Sequence, residues 1–195
     1  NPSTKPVDLH EPARENRLKL YVKRVFITDN CPELVPPYLR FIRGVIDSED
    51  LPLNISREML QNNPVVAKIR SSLVKRTLSD LKKKLSKDRK SYESFWVNFG
   101  PVLKEGIYED FEKKDSLLEI TLFKNSKSKE LISLDEYVEG MGKKQKDIYF
   151  LTGDSYENIL NNPSLEGYKS RGINVLILDD PVDSFWTSST PLYKE

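Results

Sequence analysis

The chain has 195 residues, of which 37% are hydrophobic and 31% are charged, and its formal net charge at pH 7 is +1. This length suits one large domain or two small ones, and the hydrophobic content argues against a disordered protein. The balanced charge excludes a global field that would attract nucleic acid or acidic lipid. No apolar run approaches the roughly 18 residues that a membrane-spanning helix needs, so we expect a soluble protein. The single cysteine favours a cytoplasmic one.

One cysteine, Cys31, and one histidine, His10, limit the chemistry of the chain. A lone cysteine excludes a disulfide within the chain and a cysteine-based zinc site, and it favours a reducing compartment. His10 lies in residues 1–16, a polar, proline-containing stretch that we expect to be a flexible lead-in. A Ser-His-Asp or Cys-His centre needs a rigidly held histidine, so neither is expected. Because the first residue is Asn, we expect a segment of a longer protein.

The next part of the chain is predicted to be α/β. Alternating apolar and β-branched residues predict a strand over 18–27, and a second short strand over 44–47. Residues 38–42 between them can form a short helix. Residues 51–56 are predicted to be an extended loop, since a residue that precedes a proline avoids the α region.

Arg57 follows this loop at the predicted start of a short helix, with Ser56 as its N-cap and Glu58 in its first turn. That position can project the guanidinium away from the domain. From spacing alone, the simpler interpretation is a surface arginine that pairs with Glu58 or another neighbour.

Residues 65–85 carry apolar side chains at spacings of three and four, which predicts an amphipathic helix. The segment 68–90 contains ten Lys/Arg and two Asp, a local net charge of +8. Such a cluster could contact the phosphates of a nucleic acid. A solvated helix face explains it better, because no aromatic residues alternate with the charges as they do in proteins that bind single strands.

A helical connector over 88–142 is predicted next. Helices over 92–99 and 102–111 are expected to be separated by a break at Gly100-Pro101, and a capping box at 133–136 begins another helix. Residues 116–125 fit a strand or a helix equally well.

The last part, 143–195, is predicted to be a small α/β subdomain. Strands over 147–152 and 173–178 flank a helical segment over 155–171 that is interrupted at Pro163, so the two strands are expected to be parallel. Phe185 and Trp186 follow in a short helix. Two adjacent aromatic residues cannot both face the core from such a helix, so at least one is expected to be exposed.

At several places the sequence resembles the middle domain of the heat-shock protein 90 chaperones, and within that family its bacterial form. Residues 19–27, 38–61, 106–110 and 148–153 carry the resemblance, which extends from Arg17 to Asp183. Its most specific part is Asp-Ser-Glu-Asp-Leu-Pro-Leu-Asn-Ile-Ser-Arg-Glu, residues 47–58. The resemblance implies two α/β sandwich subdomains joined by a short helical coil, with residues 17–87 as the C-terminal part of the larger one. It also favours a helix over 116–123.

The resemblance assigns roles to residues of the loop. Arg57 matches the family's catalytic arginine, which reaches the γ-phosphate of ATP held by the N-terminal domain, a role like that of an arginine finger. Asn54 and Gln61 match polar residues of the same catalytic loop, and Leu51 and Leu53 match its apolar contacts with the nucleotide domain. Asn62 departs from the family, which usually has a second glutamine there.

Near the end of the chain, Asp183, Phe185 and Trp186 match a stretch that is associated with client binding in the bacterial family. The sequence departs from that stretch by having Ser184 in place of an acid and two aromatic residues where one is usual. Exposed aromatic residues suit weak capture of unfolded chains.

The resemblance implies an ATP-dependent chaperone of the stress response that assists protein folding. Its expected partners are unfolded or partly folded clients, the N-terminal ATPase domain of the same chain and a second subunit of a homodimer, with no membrane and no nucleic acid. ATP with Mg is expected in a domain that this chain lacks, and no metal site is expected here. The chain alone is predicted to be inactive as an ATPase. The alternative is a nucleic-acid-binding module that uses 68–90.

Overall fold

The structure, a computed structural model, describes residues 17–188 and 192–193. The predicted lead-in over 1–16, with His10, lies outside the described residues. The chain divides into two compact units, an N-terminal unit of residues 1–88 and a C-terminal unit of residues 89–195. Strands and helices occur in both, so the α/β class expected from the sequence is confirmed.

The N-terminal unit combines a small sheet with a long helix. Its strands are β1 (Arg17–Val22), β2 (Val25–Thr28) and β3 (Arg43–Ser48), and its helices are α1 (Arg57–Gln61) and α2 (Pro64–Lys87). Among the described residues the sheet has the order β2-β1-β3, with β1 antiparallel to β2 and parallel to β3. The predicted helix over 38–42 is a single 3-10 turn at Pro37–Leu39.

A hairpin replaces the single strand that was predicted over 18–27. Lys23 and Arg24 have φ values of 49° and 67°, and Val22 pairs with Val25 across them. Positive φ at both residues of a two-residue loop reverses the chain within a tight hairpin. The prediction was wrong here because Lys-Arg lacks the Asn-Gly or Asp-Gly pattern that usually marks such a turn.

The core of the N-terminal unit follows the predicted periodicities. Leu18, Leu20 and Val22 of β1 are buried, as strand alternation requires. Helix α2 buries one stripe of its surface against the unit, at Val66, Val74, Leu78 and Leu81. Asn63 caps this helix by accepting hydrogen bonds from the backbone N–H groups of Val65 and Val66 at 2.9 and 3.4 Å.

The C-terminal unit places helices around a second sheet. Its helices are α3 (Arg89–Glu109), α4 (Lys114–Leu118), α5 (Leu134–Glu139), α6 (Tyr156–Leu160), α7 (Ser164–Ser170) and α8 (Asp183–Thr187). Its strands are β4 (Leu122–Asn125), β5 (Ile132–Ser133), β6 (Phe150–Thr152) and β7 (Leu176–Leu178). The described part of the sheet has the order β5-β4-β7-β6.

Helix α3 is continuous through Gly100-Pro101, where a break was predicted. A Cβ atom at Gly100 would lie 2.7 Å from Cε2 of Trp96, so glycine is needed there for the indole ring to pack on the helix. Pro101 removes one backbone donor, the one that would bond to Val97, a residue on the exposed side of the helix. Packing of the apolar face on both sides of Pro101 outweighs that loss.

The helix favoured over 116–123 is wrong beyond Leu118. Thr121 closes α4, because its hydroxyl donates a hydrogen bond to the carbonyl of Leu117 at 2.8 Å. The chain then enters β4, where Leu122 and Phe123 are buried and Lys124 is exposed. Neither signal fitted the whole segment, since Leu118 lies in α4, Ile120 lies in a turn, and only Leu122 of the alternating apolar residues is in the strand.

Two further predictions for this unit are confirmed, although both strands, β6 and β7, are shorter than predicted. Strands β6 and β7 are parallel, with Leu151 opposite Ile177, and α6 and α7 lie between them in the chain. The capping box is present, since Ser133 and Glu136 each accept a hydrogen bond from the other's backbone N–H, at 3.2 and 2.7 Å. Over the described residues, no helix combines the length and the apolar character required to cross a lipid bilayer.

Candidate functional site

The loop that precedes α1 is held by buried apolar side chains and exposes the residues between them. Leu51, Ile55 and Leu60 are buried in the N-terminal unit. A backbone hydrogen bond from Ile55 to Pro52, 3.2 Å, tightens the loop, and Ser56 caps α1 by accepting a bond from the N–H of Met59 at 3.4 Å. The loop is therefore anchored to the unit by apolar side chains and exposes the residues between them.

Three predicted site residues lie in this loop and in the short helix that follows it. Arg57 is the first residue of α1, directly after its N-cap; the predicted outward direction of its guanidinium lies outside what the structure describes. Asn54 and Gln61 are both exposed. Gln61 also borders a cavity of about 360 Å³ between α1 and the start of α2, with Arg70 and Glu33 on the same wall.

The two leucines of the loop differ in what they offer to a neighbouring domain. Leu53 is 51% exposed, whereas Leu51 is 1% exposed. Leu51 has no free surface with which to contact another domain, because it anchors the loop to the core. The predicted apolar contact with a nucleotide domain therefore needs correction at Leu51 and stays a prediction for Leu53.

The basic segment 68–90 does not form one uniform positive face. In α2, Arg76 pairs with Asp80 at 2.9 Å, and Arg70 donates to the backbone carbonyls of Pro32 and Glu33 at 3.3 Å. Arg89 belongs to the C-terminal unit and pairs with Glu93 at 2.7 Å and with Glu136 at 3.1 Å. Several of these cations are thus engaged within the chain.

Helix α8 separates its two aromatic residues. Phe185 is 63% exposed and its ring lies 5.7 Å from that of Tyr108, while Trp186 is 7% exposed and packs near Phe123, with 5.9 Å between ring centroids. This confirms that at least one of the two is exposed. Asp183 is buried as well, so of the three residues predicted to bind clients only Phe185 presents a large surface.

Sequence reasoning missed the partner of Asp183. Lys104 of α3 is buried, and its ammonium group donates to Asp183 Oδ1 at 2.8 Å and to Asp180 Oδ2 at 2.9 Å. Burial alone would lower the pKa of Lys104, but the charges of Asp183 and Asp180 outweigh it and hold this pKa above its ordinary value. A signal existed, since Lys104 falls between Leu103 and Ile107 on the apolar face of its helix.

The described part of the chain offers no obvious metal centre. No group of three or more His, Cys, Asp or Glu side chains in residues 17–188 and 192–193 could hold a metal ion. Asp179 and Asp180, adjacent acids after β7, are instead paired with Lys124 at 2.5 Å and Lys104 at 2.9 Å.

These features define an α/β protein of two compact units, one presenting a loop anchored by buried apolar residues and the other an exposed aromatic residue on a short helix. The family profile described as Hsp90 protein matches residues 1–195. The chain belongs to the Hsp90 family.

Curated relatives and a solved structure agree with this assignment. Over 194 residues the chain is 54% identical to the chaperone protein HtpG of Paramagnetospirillum magneticum, covering 100% of this chain and 31% of the relative. It is 55% identical over 188 residues to HtpG of Rhodopseudomonas palustris, covering 96% and 30%. The chain thus spans less than a third of the length of these relatives.

The solved structure is the middle domain of a Plasmodium falciparum heat shock protein. It matches with a TM-score of 0.82 at 31% sequence identity, over 96% of this chain and 73% of that one. The chain therefore has the fold of an Hsp90 middle domain. The comparisons support the chaperone class and give no support to the nucleic-acid alternative.

Proposed function

We propose that this chain is the middle domain of an ATP-dependent chaperone that assists protein folding under stress. It supplies an arginine to the ATPase site of an N-terminal domain and offers a surface to client proteins. The observation that carries the proposal is the family match over residues 1–195, combined with the position of Arg57 directly after the N-cap of α1.

The contribution of Arg57 to ATP hydrolysis is a planar cation. In phosphoryl transfer, negative charge spreads over the transferred group, and a guanidinium can meet two of its oxygens at once. Asn54 in the loop before α1 and Gln61 at the end of α1 are both exposed and suit polar contacts with the nucleotide or its domain. Leu53 supplies the apolar contact with that domain.

ATP and its Mg ion belong to another domain in this proposal. The described residues do not fit a Mg site, and the sequence has no G-x-x-x-x-G-K-[ST] loop to cradle phosphates. No step of hydrolysis is therefore assigned to a metal in this chain.

The client surface is proposed at Phe185. Its exposed ring offers a large apolar area at small entropic cost, which suits weak capture of unfolded chains. Trp186 and Asp183, which the resemblance placed with it, support α8 from the buried side.

The family also motivates proposals about the larger protein. We propose that residues 17–87 form the end of a large α/β subdomain. The predicted helical connector over 88–142 needs correction, because β4 and β5 lie within it and belong to the same sheet as β6 and β7 of the small α/β subdomain predicted over 143–195. The protein functions as a homodimer in the cytoplasm, with unfolded or partly folded proteins as clients.

The test of the ATPase role uses a full-length chaperone that carries this sequence. Arg57→Ala should lower kcat for ATP hydrolysis at least about tenfold, and up to about 10³-fold if the arginine is fully engaged, with little change in ATP affinity. Arg57→Lys should not restore the rate, because an ammonium lacks the two-pronged geometry of a guanidinium.

Arg76→Ala is the matched control. Arg76 lies on the exposed face of α2 in the same unit and pairs with Asp80 one turn away, so its removal should leave kcat unchanged. If Arg57→Ala hydrolyses ATP at the wild-type rate, Arg57 is an ordinary surface residue and its proposed role in hydrolysis is refuted.

A further inference from the structure

A buried ionic network ties α8 to α3. Lys104 is 4% exposed and Asp183 is 1% exposed. The Lys104 ammonium donates to both oxygens of Asp183, at 2.8 and 3.1 Å, and to Asp180 at 2.9 Å. Three carboxylate oxygens therefore surround one cation.

The Asp183 carboxylate has further donors. Trp186 Nε1 donates to Oδ1 at 2.8 Å, and the backbone N–H of Asp180 donates to Oδ2 at 3.1 Å. The same carboxylate thus binds α3 through Lys104, the inner side of α8 through Trp186, and the turn that leads into α8. A network in which every buried charge has partners specifies one arrangement of the elements that it joins.

Helix α8 needs such an anchor because it has only five residues, Asp183–Thr187. Isolated helices below about 12 residues are marginal in water, so the position of α8 depends on tertiary contacts. Those contacts lie on its inner side, where Trp186 packs near Phe123 and Lys104 Nζ lies 5.3 Å from the centre of the same ring.

The anchored side determines where Phe185 points. Lys104 and Tyr108 are one turn apart on the same face of α3. Asp183 meets Lys104, and Phe185, on a different side of α8, stands against Tyr108 with 5.7 Å between ring centroids. Rotation or release of α8 would remove Phe185 from this position.

We propose that Lys104 is a positioning residue: its hydrogen bonds to Asp180 and Asp183 fix α8 so that Phe185 stays exposed beside Tyr108 and can contact clients. The inference rests on the proposed client role of Phe185. A buried ion pair commonly adds little net stability over apolar residues of similar size, so placement of α8 is the better reason for this network.

The experiment measures placement and binding separately. The chain contains two tryptophans, Trp96 and Trp186. With 5-fluorotryptophan incorporated, the ¹⁹F resonance of Trp186 reports on α8, while that of Trp96 in α3 reports on whether the unit is folded. Client affinity is measured by fluorescence anisotropy with labelled, reduced and carboxymethylated α-lactalbumin.

Lys104→Met should move or broaden the Trp186 resonance, leave the Trp96 resonance in place, and raise the Kd for the client at least about fivefold, as Phe185→Ala should do. Lys124→Met is the matched control, since Lys124 forms an exposed ion pair with Asp179 in the same unit. It should change neither the Trp186 resonance nor the client Kd.

Two results would overturn the inference: an unmoved Trp186 resonance in Lys104→Met, or wild-type client affinity in that variant when Phe185→Ala binds weakly. If both resonances are lost, the Lys104→Met variant has not folded. The double variant Lys104→Met with Asp183→Asn, which removes both buried charges, is then measured, and the same two results would overturn the inference. Normal client binding by Phe185→Ala would instead refute the client role of α8, and the fluorine resonance alone would then decide whether Lys104 anchors the helix.

Discussion

Cys31 shows how the surroundings of one side chain determine its reactivity. Its thiol is fully buried in the N-terminal unit and its Sγ lies 3.4 Å from a carboxylate oxygen of Glu33. Burial, followed by the bond to Glu33 and the charge of Glu33, raises the pKa of Cys31 to about 11. The thiolate is the reactive species, so this cysteine is protected from oxidation and alkylation in the folded chain.

A pH dependence follows from this pKa. The unfolded chain releases the thiol proton near the ordinary pKa of 9.0, whereas the folded chain keeps it until about 11. The stability contributed by the protonated thiol is therefore present below pH 9 and is lost between pH 9 and 11. We expect urea unfolding of the N-terminal unit, followed by far-UV circular dichroism, to show this loss, by no more than about 3 kcal/mol.

Cys31→Ala is the comparison for that measurement. It should be less stable at pH 7 because it leaves a small cavity, and its stability should fall less steeply between pH 9 and 11. Equal slopes for the wild type and Cys31→Ala would contradict the assignment of this pH dependence to Cys31.

At the scale of elements, the capping box of α5 joins local and long-range contacts. Glu136 accepts from the backbone of Ser133 and also binds Arg89, the first residue of α3. Arg89 in turn donates to the carbonyl of Leu131 at 2.6 Å. The start of α5 is thereby fixed to the start of α3.

Ser133→Ala should lower the free energy of unfolding of the C-terminal unit by about 1 kcal/mol, because the N–H of Glu136 loses its acceptor at the helix N-terminus. Both tryptophans lie in this unit, so urea unfolding followed by tryptophan fluorescence measures it directly. Ser116→Ala, an exposed position inside α4, is the control and should change stability by a few tenths of a kcal/mol at most. A Ser133→Ala variant as stable as the Ser116→Ala control would refute this role of the cap.

Sequence periodicity predicted the elements whose signals are local. Helix α2, the parallel pair β6 and β7, and the capping box of α5 were all predicted correctly. The hairpin turn at Lys23-Arg24 was missed because neither residue is one that usually occupies such a turn. The continuity of α3 was missed because the reason for Gly100 is a contact with the Trp96 ring, which the sequence pattern does not reveal.

The candidate site, like the fold, could be predicted from the sequence only in part. Only the family resemblance singled out Arg57, Asn54 and Gln61, since an exposed arginine in a helix turn has no distinctive pattern. Burial of Leu51 and exposure of Leu53 depend on how the loop packs. Lys104 and Asp183 are 79 residues apart, and nothing in their spacing indicates that they pair.

At the scale of the whole molecule, each compact unit carries a different part of the proposed function. The N-terminal unit bears Arg57, and the C-terminal unit bears Phe185. Neither role requires a nucleotide to bind within this chain.

We therefore expect the 195-residue chain alone to bind no ATP with useful affinity and to hydrolyse none. The physical reason is that its sequence has no phosphate-cradling loop and its described residues provide no set of carboxylates for Mg. Isothermal titration with ATP and Mg should give only the heat of dilution. Saturable binding heat would refute this expectation and would place a nucleotide site within the chain.

The order of strands in the C-terminal unit bears on how the chain folds during its synthesis. Strand β4 pairs with β7, with Lys124 opposite Ile177, so the centre of this sheet joins residues far apart in sequence. At a ribosomal rate of about 5–20 residues per second, β4 waits on the order of several seconds before β7 has been made. During that interval Lys124 and Asn125 lack the strand with which they later pair. The nascent chain thus carries an unpaired strand edge for that time, and unpaired strand edges favour aggregation.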